Sequence, residues 1–397
     1  MKKFALISLG LPPSQSGQSM VLYHLLKNTD PKGYCLITLK NIHLYGHLGN
    51  CSTALKAPTY FIQPEYQIVR GLVRCACVLH LSFIFNFLLS LRVYQFKKIL
   101  KKEKCDAVVV CTGELFDPPA AFLASQSLGL PLFFYIFDYY SRQWTHPIQR
   151  VFAEKYERII LKSSSGIIVP NECLYEEYRT RYGIASTVIH NPVDLAEYES
   201  CITADAITHD NKNIIYTGAI YVAHYSAFKN LLFALNLLKR PDIKLHIYTP
   251  QSSIRLSMND ISGAVIIHKH QPAHMIPDIQ RNAGFLFLPL AFNSPFPEVI
   301  KTSAPGKIGE YLASKRPILV HAPKNSFISW YFKKHQCGLV VDDNDPTKLA
   351  QGIEHLLADT KLQKKLADNA YVRAEVDFSV ENAYRIFSEV IYKTKPE

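Results

Sequence analysis

The sequence contains no C-x-x-C pair, and its nine cysteines in 397 residues are an odd and sparse set. That excludes a disulfide scaffold, argues against a structural zinc site and fits a reducing cytoplasm. Secretion is not expected either. Met1-Lys2-Lys3 runs straight into the apolar stretch Phe4–Leu9, which is short for a signal core and has no small-residue cleavage site. Fixed-period repeats and low-complexity tracts are missing, so solenoid architectures are not expected. Charge is modest, 19% of residues against 48% hydrophobic, a balance that builds cores and does not stay disordered. The length exceeds one compact core and suits two domains of roughly 150–200 residues each.

What is present is unevenly spread. Lysine and arginine total 44 against 33 acids, a formal +11. Much of that excess lies between Arg70 and Lys104, where Arg70, Arg74, Arg92, Lys97, Lys98, Lys101, Lys102 and Lys104 meet a single acid, Glu103. A local patch of this kind points to an anionic partner.

Short apolar runs alternate with helical spacings. In the first half the expected strands are 3–9, 107–111, 132–137, 166–169 and 187–190, with helices over 20–26, 118–128, 148–163 and 174–182. After Asn191-Pro192-Val193-Asp194 a polar stretch reads as a linker, and the rhythm restarts. Strands are expected at 214–216, 244–248, 264–268, 285–288, 317–320 and 339–341, and helices at 227–239, 275–281, 307–314, 346–357, 362–374 and 380–392. This pattern implies parallel sheets covered on both faces. The fold class is therefore α/β, with two Rossmann-like doubly wound domains facing each other across a cleft. The expected divisions are an N-terminal domain over 1–194, a linker over 195–212, a C-terminal domain over 213–375 and a last helix, 376–397, crossing back to the first domain. Ligands of such sheets bind at the carboxyl ends of the strands.

Leu72–Leu91 holds twenty mostly apolar residues, enough to span a bilayer as a helix. Topology argues against a span, because it would separate strands that belong to one sheet. Ser82, Asn86 and Ser90 form a narrow polar stripe. Two readings stay open: a greasy helix packed on the sheet and followed by a solvated basic helix, or peripheral attachment of 70–104 to an anionic membrane. Nucleic acid is not an expected partner, since no stacking aromatics or reading motif accompany the basic residues.

The most informative stretch is Thr302-Ser303-Ala304-Pro305-Gly306-Lys307-Ile308-Gly309-Glu310-Tyr311-Leu312-Ala313, a loop entering a helix. A helix start offers free N–H groups to a diphosphate, and Lys307 adds charge. Glu310 lies on the same face and can accept ribose hydroxyls. An ordinary i,i+3 surface pair is the alternative. Gly306-Lys307 is not a P-loop, for want of the upstream glycine and following hydroxyl. Asp342-Asp343-Asn344-Asp345 contains an Asp-x-Asp, but its place before Pro346 suits helix capping better than a metal.

The segment Pro305-x-Lys307-x-x-Glu310-Tyr311-Leu312-Ala313-x-x-x-Pro317 resembles the donor-binding motif of the group-1 (family 4) glycosyltransferases of GT-B fold, and the likeness extends along the chain, most strongly from Ile214 onward. The resemblance implies transfer of a sugar, with retention, from a UDP- or GDP-linked donor as substrate, without cofactor or metal. It gives Glu310 the nucleotide ribose. The motif's earlier glutamate falls on Thr302, a departure for which Thr302 or Ser303 could substitute hydroxyls. Tyr216-Thr217-Gly218 followed by Lys229-Asn230 matches the family's diphosphate grip, except that Ala219 stands where an arginine is usual. Lys229 and Lys307 would then stabilise the departing diphosphate, with a solvated lysine at a helix start as the alternative for Lys229. His270, within His268-Lys269-His270-Gln271, lies where the family contacts the base, and a surface loop is the alternative there.

In the first domain, Ser14-Gln15-Ser16-Gly17-Gln18-Ser19 resembles the glycine-containing loop that approaches donor phosphates, although a lone glycine between serines also reads as a turn. Asp138, after an apolar strand, is the candidate for orienting or deprotonating the acceptor hydroxyl, with a helix cap as the alternative. Glu114 is a second acid at a neighbouring strand end. The implied partner is a glycan or lipid-linked acceptor of cell-surface polysaccharide or glycolipid assembly, at the inner face of the cytoplasmic membrane. A catalytically silent nucleotide-sugar-binding partner and a GT-B-fold epimerase remain the alternatives.

Overall fold

The structure is a computed structural model that describes residues 3–14, 16–41, 54–199, 211–251, 264–269 and 271–392. The chain divides into two compact units, Met1–His190 with Ala383–Glu397, and Asn191–Asn382.

The first unit is a seven-stranded parallel sheet. Its strands are β1 (Phe4–Ile7), β2 (Tyr34–Leu39), β3 (Thr59–Ile62), β4 (Ala107–Cys111), β5 (Leu132–Tyr135), β6 (Gly166–Val169) and β7 (Thr187–Val188), in the order β3-β2-β1-β4-β5-β6-β7. Strands β1, β2 and β4 are buried at every position, as expected of apolar runs covered on both faces. The covering helices are α1 (Gly17–Leu26), α2 (Tyr66–Val78), α3 (Ser82–Glu103), α4 (Asp117–Leu128), α5 (Pro147–Ser163) and α6 (Glu172–Tyr182). The terminal helix Val380–Tyr392 places Ala383, Phe387 and Ile391, one helical face at a spacing of four, in the core with Phe4, Tyr34 and Tyr135. The Phe387 ring meets Phe4 edge-on at 6.0 Å.

Two features differ from the sequence expectation. Tyr34–Leu39 and Thr59–Ile62 are strands that the pattern did not reveal: the former is buried throughout, with no alternation to mark it, and the latter is a partly exposed edge. The apolar run 72–91 is not one helix. Helix α2 ends at Val78, His80 adopts a left-handed φ of 54°, and α3 starts at Ser82. Among the described residues no helix is long and apolar enough to cross a membrane. Phe85 packs inward between Phe116 and Phe152, with centroids 5.6 and 5.4 Å away, whereas Phe83 and Phe87 are 64% and 62% exposed.

The second unit has a six-stranded parallel sheet: β8 (Ile214–Thr217), β9 (Leu245–Tyr248), β10 (Val265–His268), β11 (Phe285–Pro289), β12 (Ile318–His321) and β13 (Leu339–Val341), ordered β10-β9-β8-β11-β12-β13. Its helices are α7 (Ala196–Glu199), α8 (Tyr225–Leu238), α9 (Ile276–Arg281), α10 (Pro297–Thr302), α11 (Lys307–Ala313), α12 (Phe327–His335), α13 (Pro346–Ala358) and α14 (Thr360–Asp377), after which Val380–Tyr392 is α15. Helices α10 and α12 were not anticipated. Asp345 caps α13 by accepting from Thr347 N at 2.8 Å, while Asp342 and Asp343 pair with Lys333 and Lys348. In each sheet the strand order reverses beside its first strand, between β1 and β4 and between β8 and β11. Those switch points are where an open α/β sheet presents a ligand site.

Candidate functional site

At the carboxyl end of β8 the backbone turns through Gly218 at φ 120°, a conformation that favours glycine. A Cβ there would also lie 3.3 Å from Lys307 Nζ, so the glycine admits the lysine. Lys307, the first residue of α11, donates to Tyr216 Oη at 2.8 Å and sits 4.3 Å from the centroid of that ring. Tyr216 in turn donates to Ala219 O at 2.7 Å. The ammonium is thus held by a neutral hydroxyl and a π face. Burial pulls its pKa down to about 8, and Glu310 opposes that shift.

Glu310, one turn on, is fixed from the other side. Gln280 Nε2 donates to Glu310 Oε2 and to Thr217 Oγ1, both at 3.0 Å, and Gln280 Oε1 accepts from Tyr198 at 2.6 Å. Gln280 is fully buried, so this carboxamide is a fixed bracket for the carboxylate. Desolvation raises the Glu310 pKa, with the Gln280 bond and Lys307 opposing it. Tyr311 Oη accepts from Thr217 N at 3.1 Å, tying α11 to β8 again. On the opposite side Asn191 Nδ2 donates to Ala304 O at 2.7 Å, and a Cβ on Gly309 would come within 3.1 Å of Asn191 O and of Val193 Cβ. The loop before α11 and the helix itself are therefore clamped.

The remaining motif positions are placed less centrally. Pro305 O accepts from Ile308 N and shapes the helix entry. Thr302 is buried and donates from Oγ1 to Glu298 O, a bond within its own helix, and Ser303 closes that helix. Lys229 is exposed on α8, its Nζ 5.8 Å from the Phe233 ring, so it has a different neighbourhood from Lys307. Its neighbour Asn230 is buried and donates to His321 Nε2 at 3.0 Å and to Asn344 at 2.8 Å. His321 Nδ1 lies 2.8 Å from Val341 O, which places the proton there, and burial lowers its pKa to about 4, so it is a neutral structural group. His270 lies outside the described residues.

In the first unit, Gln18 bridges the switch point: Nε2 donates to Ser8 Oγ and to Thr112 O, each at 2.9 Å. Ser16 caps α1 by accepting from Ser19 N, and a Cβ at Gly17 would meet nothing within 4 Å. The protein itself therefore does not demand a glycine at that position. Asp138 follows β5; its backbone N lies 3.3 Å from Thr112 Oγ1 and its side chain is exposed. It does not cap the short turn Tyr140–Arg142, whose cap position is Tyr139. Desolvation raises its carboxyl pKa, but with the side chain open to water that shift carries little energy. Glu114 is spoken for. It pairs with buried Arg92 and accepts from Phe116 N at 2.6 Å and Asp117 N at 2.8 Å, and Arg92 also reaches Asp117 at 2.8 Å.

Sequence reasoning singled out Lys307, Glu310 and Gly218, which the structure brings to the end of β8, but gave no part to Gln280 or Asn191 and none to the Tyr216 hydroxyl, which hold them. Tyr216 had a signal, being two residues before Gly218 on the strand that ends there. Gln280 had none.

Two parallel α/β units, each with a switch point beside its first strand, define a protein of GT-B architecture. The chain belongs to the group-1/family-4 glycosyltransferases: the Glycosyltransferase Family 4 profile matches residues 54–197, and the profile described as Glycosyl transferases group 1 matches residues 211–359. Among solved structures, Anabaena Alr3699/HepE in complex with UDP and glucose is similar at TM-score 0.66 and 14% identity, over 99% of this chain and 100% of that one. Sucrose-phosphate synthase from Thermosynechococcus elongatus is similar at TM-score 0.70 and 16% identity, over 99% and 98% of the two chains. A variant of S. aureus TarM in complex with Fondaparinux, alpha-GlcNAc-glycerol and UDP gives TM-score 0.68 and 10% identity, over 99% and 100%. No curated protein sequence matches this one.

Proposed function

We propose that this glycosyltransferase takes a sugar from a UDP- or GDP-linked donor and passes it to an acceptor hydroxyl with retention of configuration. The observation that carries the reading is Lys307 Nζ, half-buried at the end of β8 and held by Tyr216 rather than by an acid. A cation so placed has charge to offer a diphosphate, and that charge would grow in value as the leaving group departs. Glu310, braced by Gln280, would take the ribose hydroxyls. From the motif, Lys229 would be the second cation on the diphosphate, so that no divalent metal or cofactor is needed, and Gly17, Gly218, Thr302, Ser303 and Pro305 would line the donor's path. Asp138, exposed at the end of β5, would orient the acceptor hydroxyl.

The acceptor in this reading is a glycan or lipid-linked glycan of surface polysaccharide assembly, met at the inner face of the cytoplasmic membrane. Support comes from the α2–α3 hairpin, where exposed Val78, Leu79, Phe83 and Phe87 accompany exposed Arg70, Arg74, Lys98, Lys101 and Lys102. Apolar side chains with flanking cations suit the boundary of an anionic bilayer. The double substitution Phe83→Ser and Phe87→Ser should move the protein to the soluble fraction, and unchanged partitioning would refute the membrane role.

The test of the activity is incubation with a panel of nucleotide sugars and acceptors, following nucleoside diphosphate release and the product's anomeric configuration by NMR. Release with a retained linkage is expected. Binding without release would favour a silent nucleotide-sugar binder, interconversion of the donor an epimerase, and an inverted linkage would overturn retention.

A further inference from the structure

The helix layer of the first unit carries a recess of about 410 Å3 that shares no lining residue with the groups at either switch point: Arg142, Glu154, Arg158, Lys162, Arg181 and Tyr182 surround it. Glu154, Arg158 and Lys162 recur every fourth residue along α5 and so share one face, and Arg181 and Tyr182 close the recess from the end of α6. Two of the cations have acids beside them: Arg142 lies 3.0 Å from Glu154, and Arg181 lies 3.0 Å from Glu177. Arg158 and Lys162 are exposed and have no ion-pair partner among the described residues. Arg142 Nε is buried with no hydrogen-bond acceptor. Beneath the recess, the buried Glu157 is already occupied by Ser141, Tyr178 and Tyr182, so it does not reach out to neutralise the lining.

We infer that this recess is an anion site for a phosphate group, separate from the donor site. Three guanidinium groups and an ammonium around a pocket of this size match the oxygens of a phosphomonoester or diphosphate, which planar forks bind in pairs. A bound phosphate would give Arg142 Nε an acceptor and would relieve the mutual repulsion of Arg158 and Lys162. A lipid headgroup and a soluble phosphate share that chemistry. The inference stands independently of the donor reading.

The test is titration of the full chain with inorganic pyrophosphate, run in parallel on Lys307→Ala so that any binding at the donor site is told apart. A parallel arm floats the protein carrying Phe83→Ser and Phe87→Ser, so that the α2–α3 surface does not hold it, on vesicles containing phosphatidic acid. Saturable pyrophosphate binding, weakened about tenfold or more by the double substitution Arg158→Gln and Lys162→Gln, is expected. Both residues are exposed and unpaired, so the fold should survive; Arg181→Gln serves as the second variant, and Lys361→Gln with Lys365→Gln, exposed on α14, as the control that leaves binding intact. If the α5 variant also loses flotation, the phosphate is a lipid headgroup. If flotation is unchanged while pyrophosphate binding is lost, the phosphate is soluble. Absent binding, or binding indifferent to both α5 and α6 variants, overturns the site.

Discussion

The two switch-point regions handle charge in opposite ways, fully buried in one and half-buried in the other. Beyond β4, Arg92 from α3 is saturated by Glu114 and Asp117, and Glu114 also accepts two backbone N–H groups at the start of α4. Beyond β8, Lys307 and Glu310 are one helical turn apart, yet each is bound elsewhere, the lysine to Tyr216 and the glutamate to Gln280. The first arrangement neutralises itself and locks a helix to a strand. The second keeps a cation and a carboxylate apart on neutral brackets, which costs desolvation but leaves both charges available to a ligand. Burial alone therefore does not mark function. What the buried charge is bonded to separates a structural cluster from a site.

The largest effect should come from breaking the self-neutralised cluster. Arg92→Met leaves two buried carboxylates without their cation and should cost about 3–5 kcal/mol of stability in a denaturant melt. A loss under about 1 kcal/mol would show that the cluster is not closed to water. In the second region the same kind of deletion should act on binding. Lys307→Ala should weaken UDP on the order of tenfold to hundredfold by calorimetry, the worth of a charge-assisted bond to phosphate. The melt should hold or rise, because a desolvated cation is removed. If Lys307→Ala instead unfolds the protein and spares UDP, the contrast between the regions fails.

A pH series sharpens the contrast further. With its pKa drawn down to about 8, Lys307 loses its proton in the folded protein before it would in the unfolded chain. The unfolded state binds more protons across that interval, so the stability contribution of this group improves as pH rises above about 8. Binding should move the other way: UDP affinity should fall by up to about tenfold between about pH 7 and 9 as the free cation is lost. Lys307→Arg should flatten that fall, since a guanidinium stays charged.

Much of this was legible in the chain. Fully apolar strands such as Ala107–Cys111 and Phe285–Pro289, and the terminal helix Val380–Tyr392 with its apolar face, announce themselves by period and length. Tyr34–Leu39 did not, because a six-residue apolar run without alternation fits strand and helix alike. Phe327–His335 is crowded with aromatics of middling helix propensity, and its helix depends on the Ser326 cap and burial of Phe327, Ile328, Tyr331 and Phe332. The run 72–91 misled through composition: a hydropathy window does not register the left-handed turn at His80 that splits it. At the site, Lys307 and Glu310 were visible as a spaced pair in a known motif. Their brackets were not. Tyr216 and Gln280 lie 91 and 30 residues from the groups they hold, and only the folded sheet brings them there.

The smallest expected effect tests the carboxylate half of the contrast. Gln280 donates to Glu310 Oε2 and is itself fixed by Tyr198 and Thr217, so the second oxygen of Glu310 is the one left to receive a ribose hydroxyl. In Glu310→Gln the new amide oxygen would keep the Gln280 bond, which turns the NH2 toward the ligand and replaces an acceptor by a donor. A ribose hydroxyl can still accept that bond, so UDP should weaken only about fivefold, close to 1 kcal/mol. Stability should rise slightly, because the variant no longer buries a carboxyl whose ionised form is disfavoured there. The sharper readout is the preference for UDP over 2′-deoxy-UDP, which the variant should shrink. An unchanged preference would mean that Glu310 faces no ribose, and the bracket formed by Gln280 would then serve the fold alone, as Glu114 does beyond β4.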